Sequence, residues 1–175
     1  MSYDVRWIVF AMLAGLFLVG QTSLAPWVEI LSVRPDWMFI FVVYLALYAP
    51  GPDAMLGAWG LGLLVDLCAD HRMGLFALVY GVCGLALVRL RGALYRGHPL
   101  TDVLVTLLAT FVAQLLIFVY RLWFIAPTAV WTSLTEAVLT ALYTAAWAPY
   151  LHWLLRRANR LMGIRTHGTW QSARA

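Results

Sequence analysis

GLGLLVDLCADHRMG, residues 60–74, sets one aspartate, Asp66, inside an apolar run and follows it at once with Asp70, His71 and Arg72. Whether this run is the core helix of a soluble domain or a membrane segment is decided by its surroundings. The chain has 175 residues, of which 63% are hydrophobic and only 11% charged, with a mean hydropathy of +0.83. That leaves too little polar surface to coat a soluble globule. The expected fold class is therefore an all-α integral membrane protein.

Outward from Asp66, apolar runs lie at about 7–28, 37–49, 54–69, 73–90, 103–124 and 134–155. Between them stand SVRPD, APGPD, ADHRMG, YRGHP and IAPTAVW, which carry the Pro, Gly and charge that stop helices. About 20 apolar residues cross a bilayer, so the spacing predicts a compact bundle of about six transmembrane helices. The second and third runs are short, about 24 Å against a hydrocarbon core of about 30 Å, which points to local thinning or a re-entrant hairpin. The first run lacks a small-x-small cleavage site before LAPW and reads as a retained anchor. Residues 1–155 then form a single transmembrane domain, and 156–175 a basic cytoplasmic tail.

The arginines orient the bundle. If helices alternate, Arg6, Arg89, Arg91, Arg96, Arg156, Arg157, Arg160, Arg165 and Arg174 share one face. Only Arg34, Arg72 and Arg121 fall on the other. By the positive-inside rule both termini are cytoplasmic. Glu29, Asp36, Asp66, Asp70 and Glu136 then belong to the outer face or outer half. Cys68 and Cys83 sit roughly 15 Å or more apart along the bilayer normal, so they are read as small core residues rather than a disulfide. Trp and Tyr near helix ends, among them Trp27, Trp37 and Trp153, read as interfacial anchors.

Several helices repeat one residue class every fourth position, which lines it up along one face. The third helix has Ala54, Ala58, Gly62 and then Asp66; the fifth has Asp102, Thr106, Thr110 and Gln114; the sixth has Thr132, Glu136, Thr140 and Thr144. Gly74, Ala77, Gly81 and Gly84 make a small-residue face on the fourth helix. In lipid, such rows face protein, because small residues let backbones approach and hydroxyls bond across helix pairs.

For Asp66 three readings stand. It caps the next helix or pairs with Arg72 or His71; it binds a ligand or proton; or it contacts a partner protein. Glu136 reads as an ion pair with Arg121 or Arg72, and Asp36, after Arg34 and Pro35, as a helix cap. No zinc-protease, nucleophile-elbow, phosphate-loop or dinucleotide motif is present, and the four histidines are scattered. The expectation is no enzyme, no catalytic residue, no metal, no cofactor and no nucleic-acid partner.

RPDWMFIFVVYLAL at 34–47 and GAWGLGLLVDLCADHRMGLFALVYGVCG at 57–84 resemble the MreD family of rod shape-determining proteins. The likeness rests on Arg34, Pro35 and Asp36, on Gly62 and Asp66, and on Gly74, Leu75, Ala77 and Leu78. Where the family often has histidine, this chain has Phe76. The resemblance implies a non-enzymatic scaffold of the cell-elongation complex, beside the single-pass protein MreC. Through it MreB filaments would be linked to the synthase pair of RodA and penicillin-binding protein 2. It also implies an architecture distantly similar to the substrate-binding subunits of energy-coupling-factor transporters. A small-ligand subunit, with Thr106, Thr110, Gln114, Glu136 and Thr140 facing the ligand, is therefore the alternative. As interface or structural candidates the sequence offers Arg34, Pro35, Asp36, Ala58, Gly62, Asp66, Gly74, Gly81 and Glu136. The partner is expected on the small-residue faces of the third and fourth helices, so that Gly62→Leu would disrupt binding more than folding.

Overall fold

A computed structural model describes residues 3–29, 33–69, 74–92, 99–124 and 130–162. Within them the chain is all-helical: α1 (Tyr3–Ser23), a short 3-10 turn (Ala25–Val28), α2 (Trp37–Tyr48), α3 (Gly51–Cys68), α4 (Leu75–Leu90), α5 (Pro99–Phe124) and α6 (Val130–Met162). The six apolar runs thus become six helices. Leu100–Trp123, with mean hydropathy 2.4, is long and apolar enough by itself to cross a membrane; Trp7–Ser23, Trp37–Tyr48 and Leu75–Leu90 are apolar but shorter.

The fold is organised around α2. Its sequence is apolar on every side, and a helix apolar all round is one surrounded by protein or lipid. Here it is protein: Trp37 to Leu47 are all buried, and α2 touches each of the other five helices. Phe39 packs edge-on to Tyr80, and Phe41 against Phe10 and Phe17.

That placement changes the meaning of its length. Twelve residues span only about 18 Å, yet a helix enclosed by others has no lipid thickness to match, so neither thinning nor a re-entrant hairpin is called for. The third helix is not short: it begins at Gly51 rather than Ala54, and its 18 residues reach about 27 Å. Pro at its second position costs nothing there, since first-turn N–H groups have no intrahelical acceptor.

Helices α3 and α4 form one close pair and α5 and α6 the other. The rows on α3 and α5, and an alanine row on α6, are the seams, whereas Glu136 of the polar α6 row is exposed. Ala54, Ala58, Gly62 and Asp66 are buried along α3, as are Asp102, Thr106 and Thr110 on α5 and Ala137, Ala141 and Ala145 on α6. Helix α6 continues through position 155 to Met162 as an unbroken helix containing Pro149; residues 163–175 lie outside the described residues. Cys83 is buried, whereas Cys68 is exposed and is not the core residue its sequence setting suggests.

Candidate functional site

Asp36 is the junction where four helices meet. Pro35 before it cannot donate a backbone hydrogen bond and holds the chain extended, so the helix starts immediately after. The Asp36 carboxylate caps α2, accepting the Phe39 N–H at 3.0 Å, and Tyr80 of α4 donates its hydroxyl to the other oxygen at 2.6 Å. The Asp36 N–H donates to Thr144 Oγ1 of α6 at 3.0 Å. Gln21 of α1 closes the ring: its Oε1 accepts the Trp37 N–H at 2.8 Å while its Nε2 donates to the Pro35 carbonyl at 3.2 Å. Two backbone N–H groups at the start of α2 are thereby satisfied from α1 and α6 and a third by Asp36 itself, as a water-free setting favours.

A consequence can be measured. Tyr80→Phe removes a short bond and leaves a buried Asp36 oxygen without that partner, a loss of about 1–3 kcal/mol, while the Phe39 cap stays in place. It should lower the thermal midpoint of the detergent-solubilised protein without changing its helical content. A variant melting with the wild type would mean that this bond is dispensable.

Asp66 serves a second helix start. Its two carboxylate oxygens accept the N–H groups of Phe76 at 3.0 Å and Ala77 at 2.8 Å, both in the first turn of α4. The chain reaches that turn through Gly74, whose φ of +102° lies in the left-handed region and suits glycine. Of the readings open from sequence, the geometry is that of the cap. Asp70, His71 and Arg72 lie outside the described residues.

Glycines complete the seam between α3 and α4. A Cβ on Gly62 would stand 2.5 Å from the Ala77 Cα and 2.6 Å from the Phe76 carbonyl oxygen. One on Gly84 would stand 2.7 Å from the Ala58 Cβ, and one on Gly81 would overlap the Trp59 indole. The small-residue faces of α3 and α4 therefore face each other. This corrects their reading as an open partner surface, because no free face remains for a partner helix there, and Gly62→Leu would break the fold before it broke an interface.

Beside the Asp36 junction opens a cavity of about 510 Å³ lined by Glu29, Arg34, Phe76, Gln114, Arg121, Glu136 and Thr140, with Val33, Ile117, Phe118, Ser133 and Ala137. Arg34 pairs with Glu29 at 2.7 Å; it is exposed, and such a pair contributes at most about 1 kcal/mol. Glu136 does not pair with Arg121: among the described residues neither makes an ion pair, though both line the same space. Thr106 and Thr110, expected beside Gln114 on a ligand-facing row, do not line it; they are buried in the α5 seam.

At the other end of α2 the structure assembles a cluster that the sequence did not single out. Asp102 on α5 is buried and accepts the Tyr48 hydroxyl at 2.9 Å; Arg156 Nη2 stands 3.3 Å and His152 Nδ1 3.5 Å from its carboxylate. Arg156 also lies over the Tyr48 ring. The available signal was the spacing of His152 and Arg156, four apart on one face of α6. Nothing in the chain order indicated that Asp102, about 50 residues earlier, is at the same level. Among the described residues no three His, Cys, Asp or Glu side chains gather as a metal site.

The carboxylates of both clusters are thus engaged by backbone, tyrosine, arginine and histidine groups of the chain itself, in an arrangement that ties helices together. The family model for rod shape-determining protein MreD matches residues 1–157. The chain belongs to the MreD family. No curated protein and no solved structure matches it. MreD proteins are bacterial membrane components of rod-shape determination rather than a family of known enzymes, and the match runs from α1 through the Asp102 cluster to Arg157. It covers both capped helix starts, so in this MreD chain Asp36 and Asp66 belong to the shared domain.

Proposed function

We propose that this MreD-family protein is a non-enzymatic, multi-pass scaffold of the bacterial inner membrane. Both termini are cytoplasmic, residues 1–155 form the membrane domain, and 156–175 is a basic cytoplasmic tail whose arginines suit anionic lipid. It holds an MreC-like single-pass protein and, through it, helps couple MreB filaments to peptidoglycan synthesis by RodA and penicillin-binding protein 2. The observation that carries this reading is the cavity beside Asp36. Arg121 and Glu136 line it, and among the described residues neither is ion-paired, while Asp36 and Asp66 are engaged in holding helix starts. Opposite charges lining a cavity at a membrane surface are suited to a complementary polar segment of another protein.

The test is affinity purification of the tagged protein from its native membrane, with crosslinking and mass spectrometry. Glu136→Arg should retain an MreC-like protein at least about tenfold less well, a difference of about 1.4 kcal/mol, with an unchanged melting temperature. Full retention by this variant would remove the cavity from the account. A second reading, a small-ligand subunit of energy-coupling-factor type, is favoured by the placement of Gln114, Glu136 and Thr140 on the same cavity wall. Recovery of paired ATPase subunits or of a co-purifying small molecule would support it instead.

A further inference from the structure

Helices α4 and α5 belong to different helix pairs and meet more sparsely than either does with its pair partner. A groove of about 290 Å³ runs between them, its walls made by Val82, Ala86 and Leu90 of α4 and by Val105, Leu108 and Leu116 of α5, among other apolar side chains. At 1.5 Å per residue it extends about 12 Å along α4 and about 16 Å along α5. It begins at the end of α4 that leads to Arg91 and so occupies one leaflet rather than the whole bilayer.

We propose that this groove is a binding site for one acyl chain of an anionic phospholipid of the cytoplasmic leaflet, with its phosphate held by Arg89. Shape chooses the occupant. About 290 Å³ along that length, between walls that are apolar throughout, takes a thin apolar chain rather than an α-helix, which is about 10–12 Å across with its side chains. Charge chooses the headgroup. Arg89 follows Ala86 by three residues and Val82 by seven, which puts it on the groove-lining face of α4, at its mouth. Arg89 is exposed, and among the described residues no ion pair holds its guanidinium. An arginine beside an apolar slot lays its stem on the apolar surface and its charge at headgroup level.

The proposal goes beyond partner binding but rests on the membrane orientation given above. Native mass spectrometry of the full-length protein in mild detergent, with added phosphatidylglycerol or phosphatidylethanolamine, tests it. The wild type should keep one phosphatidylglycerol preferentially. Arg89→Gln should reduce that retention about fivefold, the factor matching about 1 kcal/mol for one arginine at an anionic surface. Ala86→Phe should fill the slot and reduce retention of both lipids; Ala86 is exposed, so the larger ring meets no core. Retention unchanged by Ala86→Phe would overturn the site, and retention unchanged by Arg89→Gln would overturn the headgroup assignment. A photo-crosslinking residue in place of Ala86 should capture lipid; capture of another protein's helix there would overturn the proposal even if MreC-like binding at the cavity held.

Discussion

Gly62→Ala, the addition of one methyl group, should lower the melting temperature of the protein by roughly 6–12 °C. Overpacking a well-filled site costs about 1–3 kcal/mol where neighbouring side chains can move aside. Here the new Cβ meets the Ala77 Cα at 2.5 Å, the Phe76 carbonyl at 2.6 Å and the Ala77 nitrogen at 2.8 Å. Backbone cannot swing away as a side chain does, so α3 and α4 must separate, and separation also stretches the two bonds from Asp66. The expected cost is at or above the upper end, about 3 kcal/mol, or roughly a 6–12 °C fall in melting temperature for a domain of this size. Gly60→Ala on the same helix is the control. Nothing lies within 4 Å of its added Cβ, and replacing a mid-helix glycine gains about 0.5–1 kcal/mol. If both variants melt with the wild type, the seam is looser than described.

Asp66→Leu should be nearly as damaging, for an electrostatic reason. The side chain is 3% exposed and satisfies two N–H groups of α4. Leucine fills similar space but accepts no hydrogen bond, and each buried unsatisfied donor costs about 1–3 kcal/mol. Asn occupies the middle ground. It keeps one carbonyl acceptor, but its amide presents N–H to N–H at the other position. Stability should therefore fall in the order Asp, Asn, Leu, read from thermal midpoints, with amide exchange at Phe76 and Ala77 rising in the same order. Unaltered exchange at those two amides in Asp66→Leu would remove the cap from the account.

These two residues also show what could be read from the chain. The breaks at Pro, Gly and charge located the helices, since helix-stopping chemistry is local. The capping option for Asp66 was legible because Gly74 and the apolar restart lie within ten residues of it. The partner for the Gly62 row was not. A small-residue stripe looks the same whether the helix it receives comes from another chain or from the next hairpin, and only the fold distinguished the two. The cluster of Tyr48, Asp102, His152 and Arg156 was hidden for the same reason, its members lying on three helices with no periodicity in common. The central position of α2 left a trace, a run apolar on all sides, but its length drew the reading toward the bilayer and away from its neighbours.

The enclosure of α2 has a consequence for how the protein is made. A membrane helix is commonly pictured as inserting first, stable alone in lipid, and associating afterwards. A helix of 12 residues cannot bridge about 30 Å of hydrocarbon unaided, and groups that finish its ends come from elsewhere: Gln21 has already been synthesised, but Tyr80, Thr144 and Arg91, which donates to the Ala49 carbonyl just past the helix end at 2.8 Å, have not. During translation α2 must therefore wait, half-completed, beside α1 or within the insertion machinery until at least α3 and α4 have followed. The element that holds the finished bundle together is then the last to acquire its own environment, and assembly of this protein is a single cooperative closure around it.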